Sequence, residues 1–363
     1  MTGFIAKRVQ FRNGERHSIL SRPGGLPVHE ATLYLAKYRK RGRAANTIHA
    51  VCMVLALLYR ELAKAGVDLL QRLQHGQFLT VPELNRLADA AQYRVDDLSY
   101  EDLGEPGSSN VIDIKRIRMR RKTIVSEVMP VTVASQASRL RYMADYVEFL
   151  AMYVGATLPA PLRKELAFES AQALKAFRAQ VPPVSKRAKL GAREGLSKED
   201  QDRLLRVIHP DSLVNPWKRG FVRQRNWLIV VLLLATGMRR GELLGLQIGD
   251  LDQRLPKLRI LRRADAGEDP RRIQPNTKTS DREVELRSAI MRAVWNYINH
   301  HRKKIRAARK YPQLIVADDG QPLSLKEHRQ DIRAASGGLP RLSGYVDKPC
   351  NAPHLERTLL GAG

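Results

Sequence analysis

The stretch Leu-Ala-Thr-Gly-Met-Arg-Arg-Gly-Glu-Leu-Leu-Gly-Leu at residues 234–246 decides how the second half of this chain is interpreted. It follows an apolar run that begins at residue 228. A run that is apolar on every side predicts a buried helix. Gly237 is predicted to end that helix, because glycine adopts the left-handed conformation of a helix C-cap without strain.

Arg239 is then predicted to lie at the end of a buried element, with Glu242 three residues later at the offset that braces the turn. A guanidinium held there faces a cleft and presents a planar set of donors that matches the oxygens of a phosphate. The sequence therefore predicts a phosphate site at Arg239, supported by Glu242. The alternative is a core helix followed by a basic surface turn, since a helix that ends in Gly and Arg is common.

The composition indicates a polyanionic partner. The 363 residues include 63 Lys+Arg against 37 Asp+Glu, a formal net charge of +26. Nucleic acid is the first partner that such an excess suggests, and an anionic membrane is the second. A hydrophobic content of 43% predicts a folded protein. The longest strongly apolar run, residues 228–235, is too short to span a membrane, so no membrane association is expected.

The pattern along the chain predicts a mainly α fold with a small antiparallel β-sheet. Four segments are expected: a loose basic N-terminal arm over 1–26, a helical domain over 27–182, a linker over 183–194 and a second domain over 195–363. Helical spacing of apolar residues predicts helices over 28–41, 46–65, 82–93, 132–153, 163–180, 197–208 and 288–310. Short strands are predicted over 255–261 and 284–286.

A dense basic run in the first half is a second candidate for contact with nucleic-acid phosphates. Its cations are Lys115, Arg116, Arg118, Arg120, Arg121 and Lys122. Only Cys52 and Cys350 are present, and no cysteine–histidine set has zinc spacing. There is also no phosphate-binding loop of the nucleotide-hydrolase type. We therefore expect no cofactor and no metal, and a reducing, cytoplasmic location.

The box at residues 234–246 resembles the first arginine motif of the tyrosine recombinase (phage integrase) family. The segment 276–280, Asn-Thr-Lys-Thr-Ser, is similar to that family's β-hairpin lysine. The resemblance implies that Lys278 protonates the leaving 5′-oxygen as a general acid. His354 and Arg357 match the family's H-x-x-R box, which implies a second half of an arginine clamp on the scissile phosphate.

Each of these two matches has a simpler alternative. Lys278 is also consistent with a solvated hairpin lysine, because basic residues are dense in this region. His354 and Arg357 are also consistent with a chance H-x-x-R in a tail. Glu356 stands where the family has a leucine, and Pro353 precedes the box unlike the usual sequence there.

The resemblance implies a SAM-like helical core-binding domain and an α+β catalytic domain that together form a C-shaped clamp on duplex DNA. It implies site-specific recombination or integration of a mobile element through a 3′-phosphotyrosine intermediate, with self-association on DNA at the nucleoid. The family's nucleophilic tyrosine follows H-x-x-R by a few dozen residues, whereas no tyrosine follows Tyr345 here. We therefore expect no strand cleavage by this chain alone.

Two other functions remain open at this point. The first is a non-catalytic DNA-binding protein derived from a recombinase, which a nicked suicide substrate distinguishes from an active enzyme. The second is a basic RNA-binding protein. An aromatic content of 6% and the lack of RNA-recognition aromatic motifs weigh against it.

Overall fold

The computed structural model describes residues 3–94, 99–100, 129–184, 197–275 and 280–336. These residues are mainly helical, with two small sheets, which confirms the predicted fold class. The chain divides into two compact units. The first comprises Met1–Phe11 and Arg16–Ala188, and the second comprises Arg12–Glu15 and Lys189–Gly363.

The N-terminal segment is a β-hairpin, so the prediction of a loose arm was wrong. Strand β1, Ile5–Gln10, pairs antiparallel with β2, Arg16–Ser21. Asn13 and Gly14 lie in the connection, where Gly14 has φ 87° and the Asn13 side chain accepts from the Glu15 N–H at 3.0 Å. An Asn-Gly pair between two short strands predicts a hairpin. The basic composition of this segment led instead to the prediction of a loose arm.

The helices of the first unit pack around one apolar core. They are α1 His29–Lys40, α2 Ala45–Lys64, α3 Leu69–Gln74, α4 Val81–Ala90, α5 Val133–Gly155 and α6 Ala160–Ala179. All except α3 were predicted to within a few residues. A two-residue strand, β3 Ser99–Tyr100, runs parallel to β1. Cys52 lies fully buried in α2.

The second unit is built around one buried helix. Its elements are α7 Lys198–Ile208, α8 Gly220–Thr236, α9 Arg240–Gly245, β4 Lys257–Ile260, β5 Arg282–Glu285, α10 Ser288–Asn296 and α11 Leu325–Ser336. Helix α8 contains the apolar run 228–235, and five of its residues from Leu228 to Leu232 are at most 8% exposed. Strands β4 and β5 pair antiparallel.

The helix predicted over 288–310 is broken, so that prediction was wrong in its second half. After α10 the chain continues as one π-helical turn, Tyr297–His301, and then as short 3-10 turns to residue 310. Beyond Ile298 the sequence offers mainly charged residues. Arg302 is nevertheless buried, and its guanidinium donates to the carbonyls of Ala308, Tyr311 and Gln313 at 2.7–2.9 Å. A folded-back segment supplies these acceptors, whereas a straight helix does not.

Two further properties apply to the described residues. None of their helices combines the length and the apolar character that crossing a bilayer requires. Within the same ranges, no group of three or more His, Cys, Asp or Glu side chains is arranged to hold a metal ion.

Candidate phosphate site

Arg239 is positioned by the end of the buried helix α8. Gly237 has φ 61° and ψ 17° at the helix C-cap, and its N–H donates to Leu233 O at 3.1 Å, which confirms the predicted left-handed end. The Thr236 hydroxyl donates to Leu232 O at 2.7 Å and accepts from the Met238 N–H at 3.2 Å. Met238 is 1% exposed. The turn before Arg239 is therefore fixed by both its backbone and a buried side chain.

Glu242 braces this turn from the first turn of α9, as its spacing predicts. Its carboxylate accepts from the Arg239 backbone N–H at 3.0 Å and lies 3.4 Å from the Arg239 guanidinium. The Arg239 carbonyl accepts in turn from the N–H groups of Glu242 and Leu243 at 2.9 and 3.0 Å. The Glu242 side chain is fully buried, whereas that of Arg239 is 47% exposed. The backbone of Arg239 is thus held firmly while its guanidinium remains accessible.

Arg282 is a component of this site that the sequence interpretation missed. Its guanidinium donates to Glu242 Oε2 at 2.7 Å, across 40 positions of sequence. Arg282 opens β5 and pairs with Ile260 of β4. Because the strand was predicted to begin at residue 284, Arg282 was placed in the connecting loop. Extending the strand by two residues would have brought it to the sheet.

A second arginine that sequence reasoning missed holds the other end of α9. Arg271 makes a two-point ion pair with Asp269 at 2.7 and 2.9 Å, and both side chains are almost fully buried. The same guanidinium donates to Leu244 O at 3.0 Å and to Leu323 O at 2.8 Å. It thereby satisfies a carbonyl at the C-terminal end of α9, where helical carbonyls lack intrahelical partners.

Helix α8 is tied to α11 through a buried arginine. Arg225 is 3% exposed, and its guanidinium donates to Asp331 at 2.6 Å and to Val316 O at 3.3 Å. Burial raises the pKa of Asp331, and the charge of Arg225 opposes that rise. The indole N–H of Trp217 donates to Asp331 O at 3.1 Å. This network fixes the helix that precedes residues 337–363.

The remaining predicted site residues lie outside the described residues. They are Lys278, His354 and Arg357, together with the basic run Lys115, Arg116, Arg118, Arg120, Arg121 and Lys122. Of the predicted constellation, the described residues thus bring together Arg239 and Glu242, and they add Arg282.

Tyr297 is a described tyrosine of the second unit, and its environment disfavours a nucleophilic role. It is 2% exposed and stacks on Phe221 with ring centroids 6.0 Å apart. Burial raises the pKa of the Tyr297 hydroxyl to about 12. A phenol that resists ionisation and is closed off from solvent is a poor attacking group.

Comparison with known proteins gives one family match. Residues 198–341 match the sequence model of the phage integrase family. No curated protein matches the chain. Among solved structures, a crystal structure of XerA recombinase is similar at 13% identity, covering 88% of this chain and 78% of that one with a TM-score of 0.29.

A second solved structure with some similarity is that of the Tn1549 transposon integrase in complex with a circular intermediate DNA. It is 15% identical, and the similarity covers 64% of this chain and 74% of that one with a TM-score of 0.33. Both TM-scores lie below 0.5, so the resemblance to the phage integrase family rests on the match of its sequence model to residues 198–341, which is less than half of the chain.

Proposed function

We propose that this chain is a member of the phage integrase (tyrosine recombinase) family, whose sequence model matches residues 198–341, and that it binds duplex DNA and engages one backbone phosphate with Arg239 during site-specific recombination or integration. The observation that carries the proposal is the state of Arg239. Its backbone is bound by a buried carboxylate, while its guanidinium is half exposed. A cation whose backbone is already ordered costs less entropy to position on binding, which suits contact with a phosphodiester.

The rest of the proposed mechanism follows the family resemblance. In that family's reaction a tyrosine oxygen attacks the phosphorus and the 5′-oxygen leaves, and the resemblance gives Lys278 the role of supplying the proton that the leaving oxygen takes up. Arg239 and Arg357 neutralise charge on the non-bridging oxygens as the pentavalent transition state forms, and His354 donates to one of them. The net charge of +26 supports attraction to duplex DNA along much of the surface.

The test of this proposal compares Arg239→Ala and Arg239→Lys with a matched loss of charge at Arg254. Arg254 is an exposed arginine of the same unit. Binding to a labelled duplex near physiological salt is measured by fluorescence anisotropy. We expect Arg239→Ala to weaken binding about tenfold, and Arg239→Lys to recover little of it because lysine lacks the planar donor set. Equal effects of Arg239→Ala and Arg254→Ala would count against a phosphate site at Arg239.

The second candidate is a DNA-binding protein that does not cleave, and the burial of Tyr297 makes one described tyrosine of the second unit a poor nucleophile. A nicked suicide duplex separates the two candidates, because it traps the covalent intermediate. A protein–DNA adduct on a denaturing gel, mapped to a tyrosine, supports the enzyme. Tight binding without an adduct supports the binding protein, and Arg239 contributes to affinity in both cases.

A further inference from the structure

One buried carboxylate in the second unit is shared by two arginines. Glu242 Oε2 accepts from Arg282 Nη2 at 2.7 Å, and Glu242 Oε1 lies 3.4 Å from Arg239 Nη1. The Glu242 side chain has no exposed surface, whereas those of Arg282 and Arg239 are 34% and 47% exposed. One guanidinium therefore lies next to each oxygen of the Glu242 carboxylate, and both guanidiniums are partly exposed to solvent.

The two contacts differ in strength. A separation of 2.7 Å is typical of a charge-assisted hydrogen bond, whereas 3.4 Å is beyond the usual range. A buried carboxylate requires a counter-charge, because removal from water strongly disfavours the ionised form. Arg282 is placed to provide most of that compensation.

The balance of charge within this group bears directly on Arg239. Arg282 contributes one positive charge next to the Glu242 carboxylate, and the more exposed of the two guanidiniums is that of Arg239. Without Arg282, the charge of this group would be lower by one unit, and Glu242 would compensate Arg239 more fully. A phosphate approaching Arg239 would then meet a cation already compensated by Glu242.

The position of Arg282 is fixed by the small sheet. It opens β5 in register with Ile260, and Ile260 is 1% exposed in the core of the unit. The backbone of Arg282 is therefore held independently of Glu242. Its guanidinium donates to the Glu242 carboxylate from this rigid position.

We propose that Arg282 is a positioning residue for phosphate binding: it neutralises Glu242, and so leaves the positive charge of Arg239 available to a backbone phosphate of duplex DNA. The inference rests on the proposed phosphate contact of Arg239. It differs from a purely mechanical role, in which Arg282 only joins α9 to β5.

The test is a series of charge-neutralising and charge-conserving variants measured by anisotropy with a labelled duplex of about two helical turns, alongside thermal unfolding of each variant. The variants are Arg282→Gln, Arg282→Lys, Glu242→Gln and the double variant Arg282→Gln/Glu242→Gln. We expect Arg282→Gln to weaken binding about tenfold, because it removes one positive charge and leaves Glu242 to compensate Arg239 more fully. Arg282→Lys should stay within about threefold of the unaltered protein, since it keeps the charge.

The double variant gives the decisive comparison. It restores one net positive charge, and the glutamine amide oxygen can still accept from the Arg239 N–H. We therefore expect its affinity to recover to within about threefold, while Glu242→Gln alone binds more tightly than the unaltered protein. If Arg282 only joined α9 to β5, the double variant would not recover its affinity for DNA, because removing both partners does not restore the link.

The outcomes separate this inference from the proposed function. If Arg239→Ala binds as tightly as Arg254→Ala, the phosphate contact itself is wrong. If Arg239→Ala weakens binding but Arg282→Gln does not, or if the double variant fails to recover, only the role of Arg282 is overturned. Should Arg282→Gln fail to fold, Arg282→Lys and Glu242→Gln still decide: weakened binding by both contradicts the inference.

Discussion

Gly237 determines, at the scale of a single residue, how the chain enters the proposed phosphate site. Its φ of 61° lies in the left-handed region, and the chain reverses there from α8 into the turn that carries Arg239. A side chain in this region clashes with its own backbone, so glycine is favoured. The sequence revealed this position because a glycine directly after a long apolar run is typical of a helix C-cap.

Replacement of Gly237 by alanine is expected to lower the free energy of unfolding of the second unit by about 1–2 kcal/mol, the cost of a left-handed non-glycine residue. Differential scanning calorimetry of the whole chain measures the shift. Gly220→Ala is the matched control, since Gly220 opens α8 and a Cβ there meets no atom within 4 Å. A loss at Gly220 as large as that at Gly237 would show that conformation is not the cause.

At the scale of elements, local signals in the sequence predicted the helices well. Ser197 accepts from the Asp200 N–H at 3.1 Å at the start of α7, and such capping needs only neighbouring residues. The contacts that build the site are not local. The bond between Glu242 and Arg282 joins residues 40 positions apart, and nothing within either segment specifies the other. This is why Arg239 was predicted and Arg282 was not.

The loss of regular helix after residue 301 has a similar cause. The sequence over 288–310 has helical spacing at its start, and that pattern predicted one continuous helix. The buried guanidinium of Arg302 instead takes three carbonyls from the segment that follows it. Charged residues in a sequence usually predict an exposed helical face. A buried arginine that binds backbone carbonyls is therefore not predicted unless the positions of those carbonyls are known.

The link between α8 and α11 gives a prediction at this scale. Asp331→Asn removes the charge that faces the buried Arg225. Leaving one member of a buried ion pair uncompensated typically costs about 3–5 kcal/mol. Asp331 is partly exposed, and Asp318 lies 3.7 Å from Arg225. We therefore expect Asp331→Asn to lower the free energy of unfolding by about 2 kcal/mol. Chemical denaturation at pH 8 measures it, with Asp211→Asn, at a carboxylate 90% exposed, as the control. Unchanged stability would mean that Asp318 alone compensates Arg225.

At the scale of the whole molecule, the net charge of +26 and the proposed Arg239 site are expected to act on DNA in different ways. Distributed cations attract the polyanion and release its counterions without regard to sequence. The Arg239 guanidinium is proposed to contribute one phosphate contact among several, at a defined position. Affinity alone therefore mixes the two contributions, whereas the dependence of affinity on salt separates them.

We expect the association constant for a labelled duplex to fall about 10³-fold between 50 and 200 mM salt, as for a protein that neutralises roughly six phosphates. Plotted as log association constant against log salt concentration, the slope is expected to be shallower by about one in Arg239→Ala, because one phosphate contact is lost. The Arg254→Ala protein serves as the reference, since its charge is equally reduced at an exposed position. A slope near zero for the unaltered protein would contradict phosphate-dominated binding. Equal slopes for Arg239→Ala and the unaltered protein would mean that the distributed charge accounts for binding and that Arg239 does not contact a phosphate.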